Sequence, residues 1–450
     1  SIFVKSKDCT RFLFDFAIIL SISNIIVRGL GFIYKIFLSN IIGEQGLGIY
    51  HIVFNFLMIC IALTTTGIPT ALSCLISANN TLKNKKETNI LFISTLYVSF
   101  FIAFFISIFI SLHSEFLADT FLHNPQLNLF ILAICPAVVL ITISNVLRSY
   151  FYGIKKVVIP AVGQILEQIS RILFLILVYY YIKNDNVLCY SALIAISIGE
   201  MINIIFITVN LYNDSNLYKK LSIDINDFKH ASFETLKMSI PITCNRMSSI
   251  VLQSISSIII PSRLILANMS YTAALGAYGI ISGMVMPFIY LPFSVGSALV
   301  VNLIPSISGE VALKNNNLLM KKIKYSIGLT LFVSVLCSIL FYFLGEDICL
   351  LFFKNKIAGQ YLKAMFLAPI FLSLNQTLSA ILHGIRKEFI SSFNTILGMA
   401  IQLICLYFLL PIPSLNIYAY IYVVTGAAIF TTLLHSISLI NALKNSNKVI

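Results

Sequence analysis

An all-α polytopic membrane protein is the fold class this sequence predicts, and three observations carry the prediction. Of its 450 residues, 58% are hydrophobic and only 10% charged, with a mean hydropathy of +0.94. A soluble domain has about 25% charged residues, so this chain cannot cover itself with a water-compatible surface. The apolar residues fall in long unbroken runs, such as Ile90–Leu112 and Val187–Leu211; a membrane β-barrel would show alternating segments of about 10 residues instead. The length then accommodates about a dozen helices of roughly 20 residues joined by short loops.

The first apolar run follows Lys5, Lys7 and Arg11, as a signal sequence would. It lacks an A-x-A-like cleavage site and is too long for an h-region, so it is expected to stay as a transmembrane helix over 12–38. Next comes Gly43-Glu-Gln-Gly-Leu-Gly48, which has no preceding strand and reads as a tight interhelical turn, not a dinucleotide fingerprint. Helices at 47–76, 89–112, 127–151, 157–182 and 187–211 complete a first group of six. The polar stretch Tyr212–Ala231 reads as a linker. The expected domains are therefore an N-terminal six-helix lobe (1–212), a cytoplasmic linker (213–231) and a C-terminal six-helix lobe (232–450). In the second lobe, helices at 235–262 and 272–307 hold Pro241, Pro287, Pro292 and Pro305, where kinks or frayed ends are expected. Four more follow at 323–344, 359–384, 389–411 and 415–442, giving twelve.

Charge supplies an independent test of that count. The N-terminus and the even-numbered loops hold 21 of the 30 Lys and Arg, including Arg148, Lys155 and Lys156 between helices 4 and 5; the odd-numbered loops hold five. The positive-inside rule then places both termini in the cytoplasm. The net charge of +13 is thus read as topological, with no nucleic-acid partner.

The chain also repeats itself. Leu82-Lys-Asn is echoed by Leu313-Lys-Asn, Ser114-Glu115 before Asn124 by Gly345-Glu346 before Asn355, Tyr152-Gly-Ile-Lys-Lys by His383-Gly-Ile-Arg-Lys, and Ile165-Leu by Ile396-Leu, all at an offset of 231 residues. Two halves with an even number of spans share one orientation, as in parallel-repeat transporters. Two lobes that rock around a central cavity are the architecture this predicts, in a protein expected to work as a monomer.

Four cations remain inside helices: Arg28, Lys35, Arg171 and Arg246. A charge at the bilayer centre costs about 2.5–3.5 kcal/mol even on lenient scales, so such residues face a bundle interior or a wet cavity. Arg28 lies mid-helix 1 after Asn24, and Lys35 lies seven residues on, on the same face. Arg246 lies in helix 7, the counterpart of helix 1, after Asn245. Arg28, Arg246, Lys35, Asn24 and Asn245 are the candidate substrate-binding residues, suited to an anionic head group because Arg grips phosphate bidentately. The alternative for the arginines is a structural ion pair within one lobe. Helix 5 carries Gln164, Glu167, Gln168 and Arg171, with Glu167 and Arg171 in the favourable i, i+4 order for a self-neutralising pair. Glu200 in helix 6 has no opposite charge on its own helix; it is a partner for Arg171 or Arg28, or a protonatable group coupling transport to H+ or Na+. These five residues are the candidates for ion coupling or lobe electrostatics.

Nine cysteines are scattered singly and six histidines are dispersed, so no disulfide framework or metal site is indicated and no cofactor is expected. No nucleophile elbow, phosphate loop or metalloprotease motif occurs, and an enzyme is not expected.

Several stretches resemble a known family. Arg28-Gly-Leu-Gly-Phe-Ile-Tyr-Lys, Gly67-Ile-Pro-Thr-Ala, Gln164-Ile-Leu-Glu-Gln-Ile-Ser-Arg171, Ile240-Pro-Ile-Thr-Cys-Asn-Arg246 and Gly283-Met-Val-Met-Pro287 are similar to the stage V sporulation protein B family. That family belongs with polysaccharide and lipid-linked-precursor exporters, relatives of lipid II flippases and of multidrug and toxin extrusion transporters. The resemblance implies a multi-pass protein of the bacterial cell membrane that flips an undecaprenyl-diphosphate-linked saccharide, a lipid II-type precursor for spore cortex peptidoglycan, from inner to outer leaflet by alternating access. Its partners would be that anionic polyprenyl-diphosphate lipid and the membrane lipids. Two rival readings remain: a cation-coupled efflux antiporter for small amphiphiles, and a membrane scaffold for wall synthesis. Cationic drugs want an anionic cavity, whereas the intramembrane charges here are mainly positive; a scaffold needs no central arginines.

Overall fold

The computed structural model describes residues 2–65, 67–81, 85–121, 124–213, 225–292, 307, 316–385 and 387–446. Among these the chain is helical throughout, without a strand. The helices are α1 (Ile2–Thr65), α2 (Ile68–Thr81), α3 (Lys85–Leu112), α4 (Asn128–Gly153), α5 (Val158–Tyr181), α6 (Asp185–Asn213) and α7 (Ile225–Leu266). They continue as α8 (Tyr271–Gly279), α9 (Asn316–Phe353), α10 (Lys356–Ala364), α11 (Ala368–Gly384), α12 (Glu388–Leu409) and α13 (Tyr418–Ser446). Among the described residues, ten helices are long and apolar enough to cross a membrane, or eleven if α10 and α11, bent by 56°, form one span.

Glycine and proline explain where the observed elements depart from the expected ones. The expected turn at 43–48 is a single residue: α1 breaks at Gly43 (φ 67, ψ −172), and residues 44–48 are already helical. That φ lies where L side chains are strained and glycine is not. The helix expected over 47–76 is interrupted before α2, whose second residue is Pro69; the first α2 bond runs from Ala71 N to Gly67 O at 3.0 Å. The helix expected over 359–384 is likewise the bent pair α10 and α11, with Pro369 at the second position of α11. In both places proline withdraws the N–H that would have carried the ladder on. After α8 the backbone widens into a π-helical turn over Ile280–Val285, ahead of Pro287. The expected linker 213–231 is helical from Ile225, where α7 starts; 214–224 lie outside the described residues, as do 293–306 of the expected eighth helix, Pro305 included.

The chain divides into two compact units, one comprising 1–34 and 49–254, the other 35–48 and 255–450. In the first, Leu72 and Ile76 of α2, Leu91 and Phe92 of α3, Phe151 of α4 and Ile207 of α6 form a buried cluster. In the second, Leu319 and Ile323 of α9, Ile381 and Leu382 of α11 and Leu439 of α13 form another. Lipid tails are as apolar as these side chains, so packing and interhelical hydrogen bonds hold such helices together. One such bond joins Thr95 to Thr235 at 3.3 Å in the first unit; another joins Thr330 to Thr377 at 2.8 Å in the second.

The offset of 231 recurs in the backbone. Ile154 N bonds Tyr150 O and Lys156 N bonds Phe151 O at the end of α4; Ile385 N bonds Ile381 O and Lys387 N bonds Leu382 O at the end of α11. Asn124 accepts from Gln126 N, and its counterpart Asn355 from Ala358 N, each at 3.0 Å.

Gly43→Val places a β-branched residue at positive φ. It should destabilise the folded protein by about 1–2 kcal/mol, read as a lowered melting temperature in detergent, whereas Gly328→Ala, which meets open space in mid-α9, should not.

Candidate functional site

A helix buried among other helices can keep a charge only if a partner neutralises it. In the first unit α4, α5 and α6 each bring charge to one place. On α5, Glu167 and Arg171 are one turn apart, and Arg171 Nη2 lies 2.6 Å from Glu167 Oε1. From α6, Glu200 Oε1 lies 3.8 Å from Arg171 Nη2. From α4, Arg148 reaches Glu200 at 3.8 Å and Glu167 at 4.0 Å. The four side chains are 12%, 7%, 12% and 4% exposed for Arg148, Glu167, Arg171 and Glu200. Two guanidinium groups and two carboxylates sum to zero charge.

Neutral groups add to the cage, while Arg148 Nε, Arg171 Nε and Asn203 Oδ1 stay buried without a hydrogen-bond partner among the described residues. Asn203, one turn beyond Glu200, donates through Nδ2 to Ser144 Oγ at 2.9 Å, to Glu167 Oε2 at 3.4 Å and to Glu200 Oε2 at 3.5 Å. Asn145 Oδ1 accepts from Arg148 at 3.0 Å. Nearby, the Tyr34 hydroxyl donates to Ala192 O at 3.3 Å. Two glycines let α5 and α6 approach closely enough for this. A Cβ on Gly199 would sit 2.8 Å from Arg171 Cγ and 3.0 Å from Glu167 O, and one on Gly163 would collide with Asn203 Oδ1. Small residues at such seams are a general device of membrane helix packing.

Of the residues singled out in the sequence, the fold brings together Glu167, Arg171 and Glu200, and Glu200 partners Arg171, not Arg28. Gln164 and Gln168 stand half-buried on the same helix. Arg28 is exposed on α1 and Lys35 half-buried. Arg246 is exposed on α7, its Nη1 3.4 Å from Thr70 Oγ1. The side chains of Asn24 and Asn245 lie outside the described residues. Arg148 corrects the charge count: assigned above to a cytoplasmic loop, it belongs to the buried quartet. The signal was there in α4, where Ser144, Asn145 and Arg148 make a polar stripe at helical spacing on an otherwise apolar segment. Asn203, also missed, repeats Glu200 at i+3.

Comparison with known proteins places this geometry in a family. Residues 14–309 match the family model described as Polysaccharide biosynthesis protein, and 247–409 the one described as MatE. The chain is 23% identical over 441 residues to Stage V sporulation protein B of Bacillus subtilis (strain 168), covering 96% of this chain and 84% of that protein. It is 24% identical over 423 residues to Lipid II flippase MurJ of the same organism, covering 86% and 75%. Among solved structures, an inward-facing multidrug resistance MATE family transporter of the MOP superfamily superposes with a TM-score of 0.74 at 16% identity, covering 93% of this chain and 95% of that one. The fold is therefore MATE-like.

Removing one member of the quartet strands a charge. Arg171→Met should cost about 3–5 kcal/mol, and Glu167→Gln added to it should restore part of that loss. Thermal melting of the purified single and double variants measures the coupling; strictly additive losses would dissolve the quartet as an energetic unit.

Proposed function

The chain belongs to the polysaccharide biosynthesis protein family, and from that premise we propose that it is a flippase carrying an undecaprenyl-diphosphate-linked saccharide, of the lipid II type, from the inner to the outer leaflet. The observation that carries the reading is a division of labour among intramembrane cations. Arg148 and Arg171 are buried beside carboxylates inside the first unit, whereas the side chain of Arg28 is exposed on α1 and that of Arg246 is exposed where the apolar part of α7 begins. An exposed guanidinium at membrane depth is tolerable on a wet path and costly against lipid. Its natural ligand there is an anion with several oxygens, and a diphosphate offers bidentate pairing to each arginine. Stage V sporulation protein B and Lipid II flippase MurJ are among the relatives, which supports a lipid-linked wall precursor over a soluble sugar.

Counting the two parts of α1 on either side of Gly43 as separate crossings, and α10 with α11 as one, brings the described spans to twelve; an even number puts both termini on one side, and the loop charges favour the cytoplasm. Transport would proceed by alternating access. A second reading, a cation-coupled efflux antiporter, draws on the MatE match over 247–409. The exposed arginines weigh against it, since a cationic drug would be repelled.

In proteoliposomes, fluorescent lipid II should cross the bilayer with the wild-type protein and a neutral-headgroup polyprenol should not. Arg28→Ala and Arg246→Ala should each lower lipid II flipping about tenfold or more, the loss of one charge-assisted contact of about 1.5–3 kcal/mol, while both variants elute as folded protein. Equal handling of both lipids, or full activity of both variants, would reject the diphosphate reading.

A further inference from the structure

The seam between α12 and α13 in the second unit is the repeat counterpart of the α5–α6 seam that holds the quartet. At the offset of 231, Glu167 and Glu200 correspond to Gly398 and Thr431, and the correspondence extends to packing: a Cβ on Gly398 would collide with Thr431 Oγ1. Gly163, which faces Asn203 in the first unit, corresponds to Asn394. Where the first seam holds two guanidinium groups and two carboxyl groups, the second holds a histidine. His435 is 1% exposed and Asn394 is 6% exposed. Asn394 Nδ2 lies 3.4 Å from His435 Nδ1 and 3.0 Å from Ser438 Oγ.

With the Asn394 amide nitrogen turned toward the ring, the contact is a hydrogen bond in the neutral tautomer whose proton is on Nε2, where Nδ1 accepts. A second proton, arriving on Nδ1 from water, would face a donor, and the contact would be lost or the Asn394 amide would have to turn its oxygen inward. The titratable neighbour of His435 is His383 from α11, itself beside Glu388 at the start of α12. α9 brings apolar side chains, Leu319 and Ile323, to the cluster that includes Leu439 one turn beyond. No carboxylate is recorded against His435 among the described residues.

We propose that His435 and Asn394 form a proton-operated latch in the second unit: the neutral ring holds α13 against α12, and protonation releases the seam. The latch is independent of which lipid is carried, and its test needs no substrate. With full-length protein in detergent, the melting temperature should fall as pH is lowered through the range in which His435 takes up its proton. His435→Gln should abolish that shift and His383→Gln should preserve it. A wild-type pH dependence retained in His435→Gln, or removed by His383→Gln alone, would overturn the latch. Hydrogen–deuterium exchange at the imidazole C2 position, read by mass spectrometry on wild-type protein, needs no variant to fold. An exchange rate at His435 that changes several-fold across the same range as the melting temperature is expected. A rate at His435 that is flat with pH would overturn the latch too.

Discussion

Arg171 and Glu167 lie 2.6 Å apart where neither can be solvated, and the inner architecture of the first unit follows from keeping them so. One pair on one helix would satisfy the sum of charge but not the hydrogen-bonding capacity of a carboxylate and a guanidinium. Arg148 arrives from α4, Glu200 and Asn203 from α6, and glycines at 163 and 199 clear the space. Attraction between such groups roughly offsets their desolvation, so the quartet adds little net stability even though removing one member of it is costly.

The two halves share a backbone plan and diverge in what fills it. Helix ends at 154 and 385 close with the same hydrogen bonds, and asparagines at 124 and 355 each cap the helical turn that follows, the first from two residues on and the second from three. At the central seams the chemistry parts company, with charge in the first unit and Asn394, Gly398, Thr431 and His435 in the second. The same local backbone geometry thus carries different electrostatics in the two units.

Much of the fold was legible in the sequence because a bilayer reduces the code to a few rules. Apolar runs located α3 to α6, α12 and α13 to within a few residues. What failed was local backbone chemistry: a glycine that breaks a helix without a loop, and prolines at 69 and 369 whose effect depends on the carbonyl they leave unpaired. Within the candidate site, Glu167 and Arg171 were readable as neighbours because helical spacing alone joins them. Glu200 was visible as a charge in want of a partner. Arg148 was hidden because it lies near a helix end among Lys155 and Lys156, and counting charge by loop cannot see which way a side chain turns. The pairing of α4 with α6 is tertiary, and no single helix carries it.

The distribution of the quartet over three successive helices bears on how the protein is made. α5 enters the membrane with Glu167 and Arg171 already paired along its own axis. α4 and α6 each arrive with one uncompensated charge of opposite sign, Arg148 and Glu200. Arg148 lies close to the end of α4, so its long side chain can reach the membrane surface while it is alone. Its burial waits on Glu200 of α6, some 50 residues later in the chain, and the quartet closes only when all three helices are present.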